Sequence, residues 1–593
     1  MSELTNVSDL KTRDADLARY EAQAGPVARL VGVSKSFDGV DAVVDATLEV
    51  YPGQIVAVLG PNGAGKTTSL HCLLGLRRPN SGLVELLGGS PTSSAVRARC
   101  GVVLQDSGLP GSLKVREHVE LYRSFYADPM PTEEVLELVG VSDLAERFFG
   151  ELSGGQQQRV YVALAMCGRP RVLFLDEPSV GLDNASRRRL WETIRTVAAK
   201  GTAVLLTTHY MEEADALADR IVLFAAGRTV YDGSAQEMKS NFSRRTISLR
   251  PSGAPDIRRL QELGAEDVLF LDGNLSMTSA HSGRVLKALL EADPDSQEIV
   301  VQGVTLEEAV EEVLRQSPPQ VATVVATADR AVSPVFRRDR VTAWTWLRMV
   351  RAQTRAEFLK LRRDLAFILT TCLLPTLFFA FFGLSRSRHS DPEALAYTVA
   401  SFSAYGAIGV GLFSFGVGIA AERGLKWDTL IRATPMPSSA YLAARVVPAG
   451  AFTLLTLVVL AVFATLTTDV SIGLGSWVVM ILGLTAGSTV FIAMGLALGY
   501  NMSPRSAGPV STMVYLVLSF ASGLFVPMNQ LPTFAASVAP FLPTWHFARI
   551  GWGALGLSPG FGITSLLVLL GYTVFFAALA AVGYRRELRT RFL

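Results

Sequence analysis

IVAVLGPNGAGKTTSLHCLLGL, residues 55–76, is the stretch that decides the fold. IVAVLG (55–60) reads as a buried strand, and KTTSLHCLLGL opens a helix at Lys66. Between them, GPNGAGKT (60–67) fits G-x-x-x-x-G-K-[ST] in the strand–turn–helix setting that this spacing requires. Gly60, Gly63 and Gly65, with Pro61, Asn62 and Ala64 between them, let backbone N–H groups wrap phosphate oxygens, and the helix N-terminus at Lys66, Thr67 and Thr68 adds positive potential. Lys66 would reach the outer phosphates and the Thr67 hydroxyl would ligate magnesium.

Other apolar runs flank this element. VARLVGVSKSF (27–37), AVVDATLEV (42–50), VLFLD (172–176) and TAVLLTTH (202–209) alternate with helical patterns, which predicts a mostly parallel α/β sheet. VLFLDEP (172–178) ends in two carboxylates. Asp176 at the strand end is placed to hold magnesium, and Glu177 to orient and polarise the water that attacks a γ-phosphate. VTLEEAVEEVL (304–314) reads as an acidic amphipathic helix closing this part of the chain.

Charge density then changes abruptly. Residues 365–583 hold 13 Asp, Glu, Lys and Arg, against 90 in residues 1–364, so a soluble domain is joined to a membrane domain. Six apolar runs, at 365–384, 396–420, 441–466, 476–500, 507–527 and 561–583, are each near the ~20 residues that cross a bilayer. Arg423, Lys426, Arg432 and Arg505, with the tail arginines 585, 586, 589 and 591, outnumber Arg386, Arg388 and Arg549 on the other side, so the positive-inside rule puts both termini in the cytoplasm. MSELTNVSDLKTRDADLARYEAQAG has no apolar signal region. The domains read as a polar leader (1–27), the α/β domain (28–316), a Pro/Ala-rich linker (317–341), an interfacial helix (342–364) and the spans (365–593). In the interfacial helix Leu347, Val350, Thr354, Phe358 and Leu361 share one face, flanked by Arg348, Arg351, Arg355 and Arg362. A half-inserted helix is expected within 528–560. The net charge of +2 gives no reason to expect nucleic acid, and four scattered cysteines, Cys72, Cys100, Cys167 and Cys372, read as buried thiols.

LSGGQQQR (152–159) is the most specific stretch, and with it the chain resembles an ATP-binding cassette (ABC) transporter. The resemblance spans the cassette (28–316) and the membrane part (about 342–593). It implies an α/β P-loop nucleotide-binding domain followed by an all-α membrane domain of six spans, with ATP and Mg2+ as ligands. It implies that Phe37 stacks on adenine, that Gln105 in GVVLQD senses magnesium, and that His209 bonds the γ-phosphate. Ser153, Gly154, Gly155 and Gln156 would contact ATP held by the opposite cassette, and Asp183, in Gly181-Leu182-Asp183, would lie at the seam. With one phosphate loop, one signature and six spans the chain resembles a half-transporter, for which a second copy is the expected partner and a different half-transporter the alternative.

ERGLKWDTLIRATPMP (422–437) resembles the coupling segment of bacterial type-two drug, polysaccharide and lipid exporters: Glu422, Arg423, Thr434 and Pro435 match, while Lys426, Trp427 and Asp428 depart from the usual centre. SGLFVPMNQLP (522–532) and FLPTWHFARIG (541–551) are similar to later parts of that family. An apolar or amphipathic compound is the expected cargo, with an endogenous lipid, glycolipid or glycan as alternative and a force-transmitting ATPase as the second. Intramembrane charge is nearly absent apart from Arg445, so ion coupling is not expected. Phe402, Tyr405, Phe413, Phe415, Tyr515 and Phe520 are candidate linings of the path.

Overall fold

A computed structural model describes residues 25–241, 245–253, 255–271, 273–316, 342–387, 392–468, 471–557 and 561–592. Most of the expected leader and the whole 317–341 linker lie outside these residues. The chain forms two compact units, one of residues 1–105 with 169–338, the other of 106–168 with 339–593.

The first unit is α/β. Its central sheet has six strands in the order Cys100–Val103, Val172–Asp176, Ala203–Thr207, Ile55–Leu59, Arg220–Ala225 and Arg228–Gly233, parallel except for the last. Ile55–Leu59, Val172–Asp176 and Ala203–Thr207 are buried at every position, which is why they read as unbroken apolar runs rather than alternating ones. A three-stranded antiparallel sheet, ordered Val40–Val50, Ala28–Phe37, Ser81–Leu86, belongs to the same unit. The mixed segment after residue 244 forms a separate four-stranded sheet with its own core of Ile247, Leu249, Met277, Val285 and Leu289. Helix Leu306–Gln316 follows it, as its acidic amphipathic pattern predicts.

The second unit joins the helical stretch 106–168 to the membrane helices. Among the described residues, five helices are long and apolar enough to cross a membrane: Leu365–Leu384, Pro392–Gly424, Ser438–Thr467, Leu474–Asn501 and Ile563–Glu587. The expected fifth span of 507–527 is shorter than read, Ala507–Ala521, because the chain turns at Gly523, whose φ is +82°. The second span is the centre of the bundle: its apolar window is 72% buried, against 17% for the last.

That position corrects the expected path linings. Phe402, Tyr405, Phe415 and Tyr515 are core residues of one chain. The Tyr405 and Tyr515 rings stack at 4.2 Å, and the Tyr515 hydroxyl donates to the Tyr405 carbonyl at 2.8 Å. Of the six, Phe413 is half-buried and Phe520 is exposed. The apolar helix expected late in the chain is Pro543–Ala554, whose buried Trp552 donates to Ser401 Oγ at 2.9 Å.

Helix Ala343–Arg363 falls where the interfacial helix is expected. Leu347 and Phe358 are exposed, and the buried side carries Met349, Gln353, Ala356 and Glu357. Three arginines bind the helical stretch 106–168. Arg348 donates to the Ser124 and Tyr126 carbonyls, Arg355 pairs with Glu120 at 3.0 Å, and Arg363 grips Glu117 with both terminal nitrogens at 2.6 and 2.8 Å.

Candidate functional site

The phosphate-loop turn is built from backbone that only glycine accepts cheaply. Gly60, Gly63 and Gly65 have φ of +145°, +81° and +101°. A Cβ on Gly60 would stand 2.3 Å from the Phe224 carbonyl oxygen, and one on Gly65 2.5 Å from that of Ala42. Lys66, buried at the first turn of helix Lys66–Leu73, donates to Gly60 O at 2.7 Å and Pro61 O at 3.2 Å. Burial lowers the Lys66 pKa, while Glu177 and Asp176 pull it back up.

Parallel register places the acids against this loop. Asp176 is opposite Thr207 in the neighbouring strand, and Asp176 Oδ1 accepts from Thr207 Oγ1 at 2.5 Å and from Thr67 Oγ1 at 3.2 Å. Glu177 sits just past the strand end with φ +49°, its N–H held by Thr207 O and Oγ1 at 3.0 and 3.1 Å. Such left-handed backbone in a non-glycine residue stores strain and clusters at functional sites. It aims the carboxylate at two partners: Gln105 Nε2 donates to Glu177 Oε2 at 2.7 Å, and His209 Nδ1 is 3.4 Å from the same oxygen. The structure thus brings together Lys66, Thr67, Asp176, Glu177, Gln105 and His209. Thr207, which fastens both acids, went unread in the sequence, although its place two residues before His209 in LLTTH was the available signal.

The remaining expected residues are more dispersed. Phe37 is half-buried, with the Arg77 guanidinium 4.7 Å and the Lys35 ammonium 5.1 Å from its ring centre. Arg77 also donates to Thr68 Oγ1 at 3.3 Å. Asp183 caps helix Asn184–Ala199 by accepting from Ser186 N–H at 2.7 Å. In the second unit Ser153 caps helix Gly154–Met166, with Gln156 Oε1 accepting from Ser153 N–H at 3.0 Å; Ser153 and Gly154 are exposed.

The expected coupling segment forms helix Trp427–Ala433, seated on the 106–168 stretch within the second unit. Trp427 is buried, its ring 6.4 Å from His118 and 6.1 Å from Tyr122. Gly108 N–H donates to Leu425 O at 2.6 Å, and Lys426, in left-handed backbone, pairs with Asp106 at 2.7 Å. Beside it lies a charge cluster that the reading of the sequence missed. Glu422 at the end of the second span meets Lys360, Arg445 and Tyr441, and Glu357 lies 2.9 Å from Lys360 and 3.4 Å from Arg445. Two acids and two bases balance one another in this interior. Burial opposes the charge on Lys360, but Glu357 and Glu422 outweigh it and raise its pKa.

Comparison with known proteins agrees with both halves. Residues 43–180 match the family model of the ABC transporter, and residues 348–555 that of the ABC-2 type transporter. The chain is 35% identical over 300 residues to daunorubicin resistance ATP-binding protein DrrA3 of Streptomyces coeruleorubidus, covering 47% of this chain and 90% of that one. It is 38% identical over 218 residues to Nod factor export ATP-binding protein I of Rhizobium johnstonii, covering 35% and 70%. A solved ATP-binding subunit of an ABC transporter is 26% identical over 36% of this chain and 93% of that chain, with a TM-score of 0.34.

Proposed function

This chain belongs to the ABC transporter family, as a type-two exporter with cassette and membrane domain fused, and from that premise we propose that two copies export an apolar or amphipathic compound, of the drug or antibiotic kind, at the expense of ATP. The cassette hydrolyses ATP and the membrane domain couples that hydrolysis to transport. The compound class and the homodimer are the proposed part. A relative named for daunorubicin resistance favours a drug over an envelope component, while one named for Nod factor export keeps the glycolipid alternative in view.

The observation that carries the mechanism is the convergence of Gln105 and His209 on Glu177, beside the Thr67–Asp176 contact. Thr67 Oγ1 and Asp176 Oδ1, hard oxygens 3.2 Å apart at the phosphate loop, fit a magnesium ion, directly or through its waters. Mg2+ bound there would neutralise charge on the transferring phosphate. Lys66 exchanges the carbonyls of Gly60 and Pro61 for the outer phosphates of ATP, and the N–H groups of Gly63 to Thr68 hold the remaining oxygens. Phe37 supports the adenine. Glu177 orients a water in line with the γ-phosphorus and takes up its proton as the new P–O bond forms and the bond to ADP breaks. His209 donates to the γ-phosphate, and Gln105 holds the Glu177 carboxylate in place.

The second copy completes the site. The Ser153–Gln156 turn, exposed at Ser153 and Gly154 and at the N-terminus of a 13-residue helix, suits a phosphate presented by another cassette, with Asp183 at the same seam. Two such contacts draw the copies together, and hydrolysis releases them. Movement reaches the spans through helix Ala343–Arg363 and the Trp427 anchor. On this reading the cassette and both termini lie on the cytoplasmic side of a bacterial cytoplasmic membrane, and the cargo leaves between the two membrane halves.

The test is ATP-dependent uptake of labelled amphiphilic drugs and lipids into inside-out vesicles, native chain against Glu177→Gln. Uptake that the variant loses supports export and begins to name the cargo. ATP hydrolysis that needs Glu177, with no uptake of any compound, refutes it in favour of the force-transmitting alternative.

A further inference from the structure

Behind the coupling helix, wholly within the second unit, lies a cavity of about 290 Å³. Its walls are apolar: Ile431, Met436, Leu442 and Leu496, with Ala577 and Ala580 of the last span. The last span keeps the space open by presenting alanines at 577, 580 and 581, while Val574, Phe575, Leu579 and Val582 of the same helix are exposed. Tyr441, Tyr500 and Tyr584 also line it, with Asp428 and Arg432 of the coupling helix 3.8 Å apart. The Tyr500 and Tyr584 rings meet edge to face at 5.4 Å, and the Arg432 guanidinium lies 5.2 Å from the Tyr584 ring centre.

We infer that this cavity takes the apolar body of a single-chain or ring amphiphile, and that it is where exported cargo leaves the bilayer before transport. The inference rests on the export reading and names a site for it. Size selects the occupant: the volume equals about ten waters and stands at the lower end of pockets that hold drug-sized ligands, too small for a two-chain lipid. Access selects it too, because Leu442 and the neighbouring Val446 and Val447 are exposed on a membrane helix, so an occupant enters from the bilayer without crossing water. Its polar head would lie toward the Asp428–Arg432 pair.

The position also gives the occupant a route to the cassette. Asp428, Ile431 and Arg432 line the cavity from helix Trp427–Ala433, whose first residue is anchored between His118 and Tyr122. Ile431 follows Trp427 by one helical turn and shares its face, so an occupant against Ile431 bears on the turn that holds the Trp427 contact, and cargo binding stimulates ATP hydrolysis through it.

The probe is rhodamine 6G, a ring amphiphile, added to the full chain in nanodiscs of two-chain phosphatidylglycerol. Ala580→Trp fills the cavity and raises the half-maximal probe concentration for stimulating ATP hydrolysis by about tenfold or more, equal to about 1.4 kcal/mol. Leu579→Trp, on an exposed position of the same span, leaves it at the native value. Equal responses of the two variants overturn the inference. A second measurement does not depend on either variant folding well: Leu442 is replaced by photo-reactive p-benzoylphenylalanine and the adduct is identified by mass. A probe adduct enriched over the same replacement at Val574 supports the cavity; lipid adducts alone at both positions overturn it. Vesicle uptake separates the two levels. Export that persists in Ala580→Trp at the native half-maximal concentration removes the cavity and keeps the export reading, whereas a native chain that moves nothing removes export while the adduct still decides the cavity.

Discussion

Truncating Trp427 to alanine separates hydrolysis from transport, because its buried indole packs the coupling helix against the 106–168 stretch. Its exposure is 1%, and its ring faces His118 and Tyr122. A tryptophan buries ~150–250 Å², which at ~25 cal/mol per Å² gives an upper value of about 4–6 kcal/mol. Tryptophan-to-alanine changes in cores cost about 3–5 kcal/mol, so about 4 kcal/mol is expected at this contact. What remains includes the Leu425 side chain packed at Gly108, and two polar contacts, the Gly108–Leu425 backbone bond and the largely exposed Lys426–Asp106 pair, together worth about 1–2 kcal/mol. A loss of about 4 kcal/mol shifts the seated-to-unseated equilibrium about a thousandfold. Trp427→Phe is the control: the indole Nε1 has no hydrogen-bond partner among the described residues, so the smaller ring loses area but also removes a buried unpaired donor. Vesicles are assayed for compound moved per ATP hydrolysed, with hydrogen exchange across 106–126 and 425–433. Trp427→Ala hydrolyses ATP with transport lost and both segments deprotected, and Trp427→Phe stays near native. A native transport-to-hydrolysis ratio and unchanged protection in Trp427→Ala refute the reasoning.

Two further predictions concern buried charge. Glu422→Gln leaves Lys360 and Arg445 with Glu357 as their one remaining acid in this cluster, and costs about 3–5 kcal/mol, read as a fall in thermal midpoint in detergent. The double variant Glu422→Gln with Arg445→Met restores neutrality and recovers part of that loss; strictly additive losses would show that the pair does not interact. His118 supplies the pH dependence. It is fully buried, Nε2–H donates to Pro110 O at 3.0 Å, Nδ1 has no partner among the described residues, and burial lowers the pKa to about 4. The unfolded chain binds this proton first, so the stabilisation is complete above about pH 6.5 and falls by about 3 kcal/mol as pH drops toward 4. Hydrogen exchange of 106–168 at stepped pH measures the decline, which His118→Phe flattens between pH 6.5 and 4; an unchanged slope would clear His118 of the effect.

What was legible in the sequence is what local chemistry dictates. The phosphate loop needs three positive-φ glycines and a lysine in a fixed order, and no distant residue alters that need. The buried parallel strands announce themselves as unbroken apolar runs, and Asp176 and Glu177 fall at the end of one. Thr207 escaped because its role depends on register: only pairing of Val172–Asp176 with Ala203–Thr207 sets its hydroxyl beside both acids. The charge cluster escaped for a related reason. Glu357, Lys360, Glu422 and Arg445 come from three helices, and each stands near a helix end, where a window of composition reads it as a solvated loop or interfacial charge. Tyr405 and Tyr515 misled in the opposite direction, since aromatic residues within a span look alike whether they line a path or stack in a core.

The division of the chain by motif and its division by contact do not coincide, and the difference bears on mechanism. Motif reading ends the cassette at 316, but residues 106–168, which include LSGGQQQR, form one unit with the membrane helices, while the phosphate loop, Asp176, Glu177 and His209 belong to the other. On the proposed reading, the signature is the part that touches the second copy's ATP. The γ-phosphate contact at Ser153 is then made by the same unit that holds Trp427, Arg363 and the spans. Force applied at the nucleotide therefore enters the membrane helices through packed side chains and the Arg363–Glu117 pair, with no hinge required between signature and coupling helix. Among the described residues the chain passes between the two units after Gln105 and after Gly168, and the third crossing lies outside them. Gln105 is itself bonded to Glu177 at 2.7 Å. One crossing thus begins at the residue that touches the Glu177 carboxylate, on which hydrolysis depends in the proposed reading.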